Sequence, residues 1–123
     1  MIITEVGDKV NFIDENDIFV GYDLGQFCCE NAGYFLSYRD DEQYDLFKGN
    51  TVIEKDEIKD YVFDTKFFKC VKTATDWEDE GGQVCFRLTS KGKKDIYLHR
   101  YNSHNGYYAH EVYSNILDIK ERI

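Results

Sequence analysis

A chain of 123 residues is the length of one domain, and 42% hydrophobic with 16% aromatic content belongs to a folded globule, not a disordered tail. No window approaches the roughly 18 apolar residues of a membrane-spanning helix. The net charge of −9 is concentrated in residues 1–60, with 15 acids against 5 bases; residues 61–123 hold 9 acids and 10 bases. So acidic a first half repels phosphate backbones, and direct nucleic-acid binding is not expected.

The N-terminus, Met1-Ile2-Ile3-Thr4-Glu5-Val6, lacks a basic start and a long apolar core, so it does not read as a signal peptide. Val10, Phe12 and Ile13 predict a first strand, residues 14–17 a turn, and residues 18–24 a second strand. Asp23 is placed to cap a short helix or turn over residues 24–31, with Gln26 at the capping-box position and Gly33 as the stop. Gly25 and the cysteines there are poor helix formers. Residues 33–38 predict another strand, with a short continuation at residues 44–47 and a turn at residues 48–50.

Residues 61–73 form a long β-rich run. It ends in an acidic loop, residues 75–82, which contains Trp77. Val84, Phe86 and Leu88 then alternate with Cys85, Arg87 and Thr89, a period of two that buries one face and solvates the other. Residues 117–123 suggest a terminal helical turn. The expected class is mainly β, or α+β with one or two short helices, in a single domain over residues 1–123. A single twisted antiparallel sheet or a small, partly open barrel would satisfy the pattern.

The most informative stretch is residues 96–113, where two strand-like runs flank Asn105-Gly106, a strong hairpin signal. It gathers all three histidines and five of the ten tyrosines. A two-residue loop there sets Tyr101 opposite His110 and Arg100 opposite Glu111. One face then carries Tyr97, His99, Tyr101, Tyr108 and His110; the other carries Ile96, Leu98, Arg100 and Glu111. Two histidines among tyrosines suggest a metal pair, an acid/base site or a binding surface with tyrosine anchors. No carboxylate shares that face and no nucleophile stands beside it, so a binding surface is preferred over metal or catalysis. A half-exposed aromatic face of a sheet, with no ligand, stands ahead of all three.

The cysteines are Cys28, Cys29, Cys70 and Cys85, with no C-x-x-C spacing. In an intracellular protein they act as small apolar residues. No phosphate loop, nucleophile elbow, zincin or EF-hand spacing is present, and no metal or cofactor is expected.

Phe27-Cys28-Cys29-Glu30 and Ser103-His104-Asn105-Gly106-Tyr107-Tyr108 together resemble a family of small uncharacterised bacteriophage and prophage proteins. These share a Cys-Cys-Glu corner, a middle acidic loop and a C-terminal Ser-Asn-Gly-Tyr-Tyr hairpin. The resemblance spans residues 18–114. A histidine often precedes the paired cysteines in that family; residues 21–26 contain none here. The resemblance implies a phage-type accessory protein in a bacterial cytoplasm.

The functional expectation is a non-enzymatic acidic binding protein that engages a host protein with a basic surface, as an inhibitor of a host defence protein. Residues 14–17, 40–45 and 54–60 supply the charge. Trp77, Tyr97, Tyr101 and Tyr108 are candidate anchors. A small-ligand or nucleotide binder using Tyr97, His99, Tyr101, Tyr108, His110 and Arg100 is the alternative, and it needs a concave pocket. A metal-binding protein or hydrolase comes third. Oligomeric state is not legible.

Overall fold

The computed structural model describes residues 1–6, 9–23, 31–45, 47–72, 80–104, 111–117 and 119–123. Ten strands occur among them: β1 (Ile2–Val6), β2 (Lys9–Ile13), β3 (Phe19–Asp23), β4 (Asn31–Ser37), β5 (Val62–Phe63), β6 (Lys69–Lys72), β7 (Glu80–Thr89), β8 (Ile96–His104), β9 (Glu111–Ser114) and β10 (Lys120–Arg122). A 3-10 turn covers Lys55–Ile58.

The mainly β class holds; among the described residues the strands form two antiparallel sheets, not one twisted sheet, and no closed barrel. The first sheet has the order β1-β2-β3-β9-β10; the second has the order β4-β8-β7-β5, with β6 also on β7. Every pairing is antiparallel. The core lies between the sheets. Val10, Phe12, Val20 and Val112 come from the first sheet, and Leu36, Val84, Phe86, Leu88, Ile96 and Leu98 from the second. Phe12 meets Tyr34 edge-on across the gap at 5.3 Å. Apolar burial of this kind, at about 25 cal/mol per Å², is the main stabilising term.

Period-two patterning placed these faces correctly. Val84, Phe86 and Leu88 are fully buried. Asp14 anchors the expected turn at residues 14–17. Its Oδ1 accepts the Asn16 and Ile18 amides, both at 2.9 Å, and its Oδ2 accepts the Phe63 amide at 2.8 Å. Several other expectations are corrected. Residues 61–73 do not form one run: the chain turns between β5 and β6, where the Asp64 carbonyl accepts the Phe67 amide. Of the continuation expected at residues 44–47, residues 44, 45 and 47 are in no strand, because Asp45 caps a turn there. The terminal helix is β10. Strand β1 pairs with β2, and its own residues carry no strand expectation in the sequence. The short helix expected at residues 24–31 falls outside the described residues, save Asn31, which opens β4.

The largest correction concerns the hairpin. β8 and β9 belong to different sheets. β8 is flanked by β4 and β7, so both its edges are occupied, while β9 lies between β3 and β10. Arg100 stands opposite Tyr34 and Val84, not Glu111. β7 pairs with all nine residues of β8, a longer ladder than the four-residue β9 can supply. Apolar alternation marks a strand but does not name its neighbours.

Candidate functional site

Tyr97, His99 and Tyr101 do share one face of β8, as alternation requires. It is the outer face of the second sheet. Ile96, Leu98, Arg100 and Asn102 point the other way, into the buried layer. Arg100 is fully buried there, and its Nη1 donates to the Gly33 carbonyl at 2.8 Å and the Tyr101 carbonyl at 2.9 Å. Its guanidinium braces β4 against β8 and is not offered to a ligand. Tyr108, His110 and Trp77 lie outside the described residues, as do Cys28 and Cys29.

The outer face is not open. Residues 38–45 cross it after β4 ends. Tyr44 stacks on Tyr101, with ring centroids 3.8 Å apart and planes 9° from parallel. His99 is fully buried and stacks on Phe35 at 4.5 Å. Tyr97 is half-buried; it meets Phe67 edge-on and its hydroxyl accepts from Arg87 Nε at 3.3 Å.

Gln83 on β7 fixes the chemistry of His99. Its Oε1 accepts the Tyr44 amide at 2.9 Å, so that atom is the oxygen. Its Nε2 then donates to the Glu42 carbonyl at 2.7 Å and to His99 Nδ1 at 2.9 Å. Nδ1 is therefore an acceptor, and the proton of the neutral ring sits on Nε2. From there it is directed at the Arg39 carbonyl, 3.0 Å away, and Ser37 Oγ, 2.9 Å away. Burial holds the imidazole below its ordinary pKa, against the Arg39 carbonyl and the carboxylates of Glu42, Asp40 and Asp41, which pull the other way. Both ring nitrogens are committed, so His99 has no lone pair for a metal and none for a substrate proton.

Cys85 is the cross-strand neighbour of His99, an arrangement that on paper offers a thiol and its base. Burial, with the Asp40 charge second, pushes the thiol up to about 12. It stays protonated near neutrality and is a poor nucleophile. Among the described residues no group of three His, Cys, Asp or Glu side chains is placed to hold a metal ion.

The acids of residues 40–45 serve the covering segment itself. Asp41 takes a two-point bond from Arg39, which holds its carboxyl below the usual range. Asp40 pairs with Lys69 at 3.0 Å. Burial opposes the charge of Glu42, but bonds from Thr51 and Asn50 outweigh it and lower its pKa. Asp45 Oδ1 accepts the Phe47 and Lys48 amides, and Asn50 Oδ1 accepts the Asp45 amide. Gln83 and Ser37 carry no signal in the sequence as site residues, while Glu42 and Asp45 read there as part of the acidic stretch at residues 40–45 and Asn50 as part of a turn. The Asp45-to-Gly49 spacing is the signal that marks their turn; Gly49 takes a φ of 75°.

A shallow cleft lies on another side, with a volume of about 510 Å³, floored by Tyr61 and Ile96. Its charged walls answer one another: Lys93 pairs with Asp60 at 3.5 Å, and Glu57 accepts the Tyr38 hydroxyl at 3.2 Å. Comparison of the chain with family models, curated proteins and solved structures finds no match. No helix among the described residues is long and apolar enough to cross a membrane.

Proposed function

We propose that this chain is a non-enzymatic acidic binding protein of phage or mobile-element type, acting in the bacterial cytoplasm on a host protein with a basic surface. Inhibition of a host defence protein is the specific form of that reading. One observation carries it. The Phe63 amide donates to Asp14 Oδ2 at 2.8 Å, which ties the turn at residues 14–17 to β5, the strand that begins two residues after the acidic segment at residues 54–60. Glu15, Asp17, Glu54, Asp56, Glu57 and Asp60 are all exposed on these two pieces of chain, against Lys55, Lys59 and Lys93, which pairs with Asp60. Lys55 is itself turned to Glu5 at 2.7 Å. With a net charge of −9, such a patch attracts a basic partner and speeds its encounter.

The small-ligand reading finds less support, because Tyr44 and the Gln83 bonds close the described part of the tyrosine and histidine face. The test is affinity capture from bacterial lysate, followed by reconstitution with the purified partner. The reading expects a stoichiometric basic partner. Its binding should weaken as salt rises from about 0.05 to about 0.5 M, and again when Glu15, Asp17, Asp56 and Glu57 are changed to their amides. Binding indifferent to both, or saturable nucleotide binding with no protein partner, would overturn it.

A further inference from the structure

His99 is a fully buried, uncharged histidine whose neighbours tolerate only one of its protonation states. Gln83 cannot adapt to the other. If Nδ1 gains a proton, it faces the Gln83 Nε2 donor 2.9 Å away. Turning the amide over would bring Oε1 to the new proton. It would also set nitrogen against the Tyr44 amide and oxygen against the Glu42 carbonyl, both of which Gln83 now satisfies. Either way the bonds that hold residues 42–44 to β7 are lost.

We propose that the Gln83–His99 pair is an acid-operated latch: protonation of His99 at Nδ1 releases residues 38–45 from the second sheet and uncovers the ring of Tyr101. The proton comes from solvent, and no bond other than hydrogen bonds changes. The groups facing His99 set the balance. Asp40, Asp41, Glu42 and Arg39 come from the covering segment, Cys85 and Arg87 from β7, Lys69 from β6, and Tyr97 and Tyr101 from β8; β4 contributes the uncharged Ser37 and Phe35. Asp41 and Glu42 are held below the usual carboxylate range and stay charged from pH 7.5 to 5. They draw a proton towards the ring, while burial resists it. Cys85 stays neutral throughout. His99 is thus the member of this cluster that changes charge in the window.

The sign follows from linkage. The closed state holds His99 below its open-state pKa of about 6.5, so acid favours opening by up to about tenfold per pH unit below that value. Amide hydrogen exchange at Tyr44 in the full chain, corrected for the intrinsic rate, reads this directly. Protection should fall by up to about tenfold per pH unit as pH drops below about 6.5, while the Phe12 amide in the first sheet does not follow. His99→Gln should abolish the dependence, which removes His104 and His110 as its source. Tyr44 protection that stays flat, that falls equally in H99Q, or that falls in step with Phe12 would overturn the latch.

Discussion

Each sheet carries one glycine facing a tyrosine across a strand pair, and the two pairs have different fates. In the first sheet Gly21 faces Tyr113, which is 39% exposed and touches Phe19 edge-on at 6.1 Å. In the second sheet Gly33 faces Tyr101, which is clamped beneath Tyr44. In both, the ring lies over a backbone that has no side chain to cover it. The covering segment at residues 38–45 makes the difference: it turns one face into an interior and leaves its counterpart as a surface. A tyrosine-rich strand therefore does not identify a binding face; what crosses it decides.

The sharpest way to test that contrast is to give both glycines a methyl group. A Cβ at Gly33 would lie 2.5 Å from the Tyr101 hydroxyl, and a Cβ at Gly21 would lie 2.8 Å from the Tyr113 ring and 2.6 Å from Asn11 Oδ1. Tyr113 can swing into solvent; Tyr101 cannot. Urea denaturation should show Gly33→Ala losing about 2–3 kcal/mol and Gly21→Ala less than about 1 kcal/mol. Gln83→Leu comes next. It strands the Tyr44 amide, the Glu42 carbonyl and His99 Nδ1, and should cost about 1–3 kcal/mol. Asn11→Ala in the first sheet should stay within about 0.5 kcal/mol. Tyr44→Ala removes the stack on Tyr101 and should cost about 1 kcal/mol.

Acid should also separate the two regions. His99 has a lowered folded pKa, so its contribution to stability is complete above the unfolded value of about 6.5 and is lost as pH falls below it. A melting series from pH 7.5 to 5 should show a falling midpoint that H99Q lacks. The smallest effect belongs to the exposed Arg39–Asp41 pair, where Asp41→Asn should leave the midpoint unchanged.

The sequence carried the class of the fold and the faces of its strands, because alternation at Val84, Phe86, Leu88, Ile96 and Leu98 is a local signal. It did not carry the neighbours of β8. Pairing is decided by which long strand offers the fuller ladder, and nothing in residues 96–113 declares that β4 and β7 outbid β9. Nor did it reveal that Arg100 is buried, since a cation inside a sandwich depends on carbonyls, such as that of Gly33, brought from far along the chain. His99 was correctly placed beside Tyr97 and Tyr101. Its character was not legible, because Gln83 and the Arg39 carbonyl reach it only after the covering segment folds back.

The claim on which the rest depends is that His99 is a neutral structural group sealed under residues 38–45. Long-range proton–nitrogen NMR of the imidazole at pH 6 tests it most directly. A neutral ring with its proton on Nε2 and a bare, hydrogen-bonded Nδ1 is the predicted result. A ring protonated on both nitrogens, titrating near 6.5 like a free side chain, would contradict it and return the tyrosine and histidine face to the list of open binding sites.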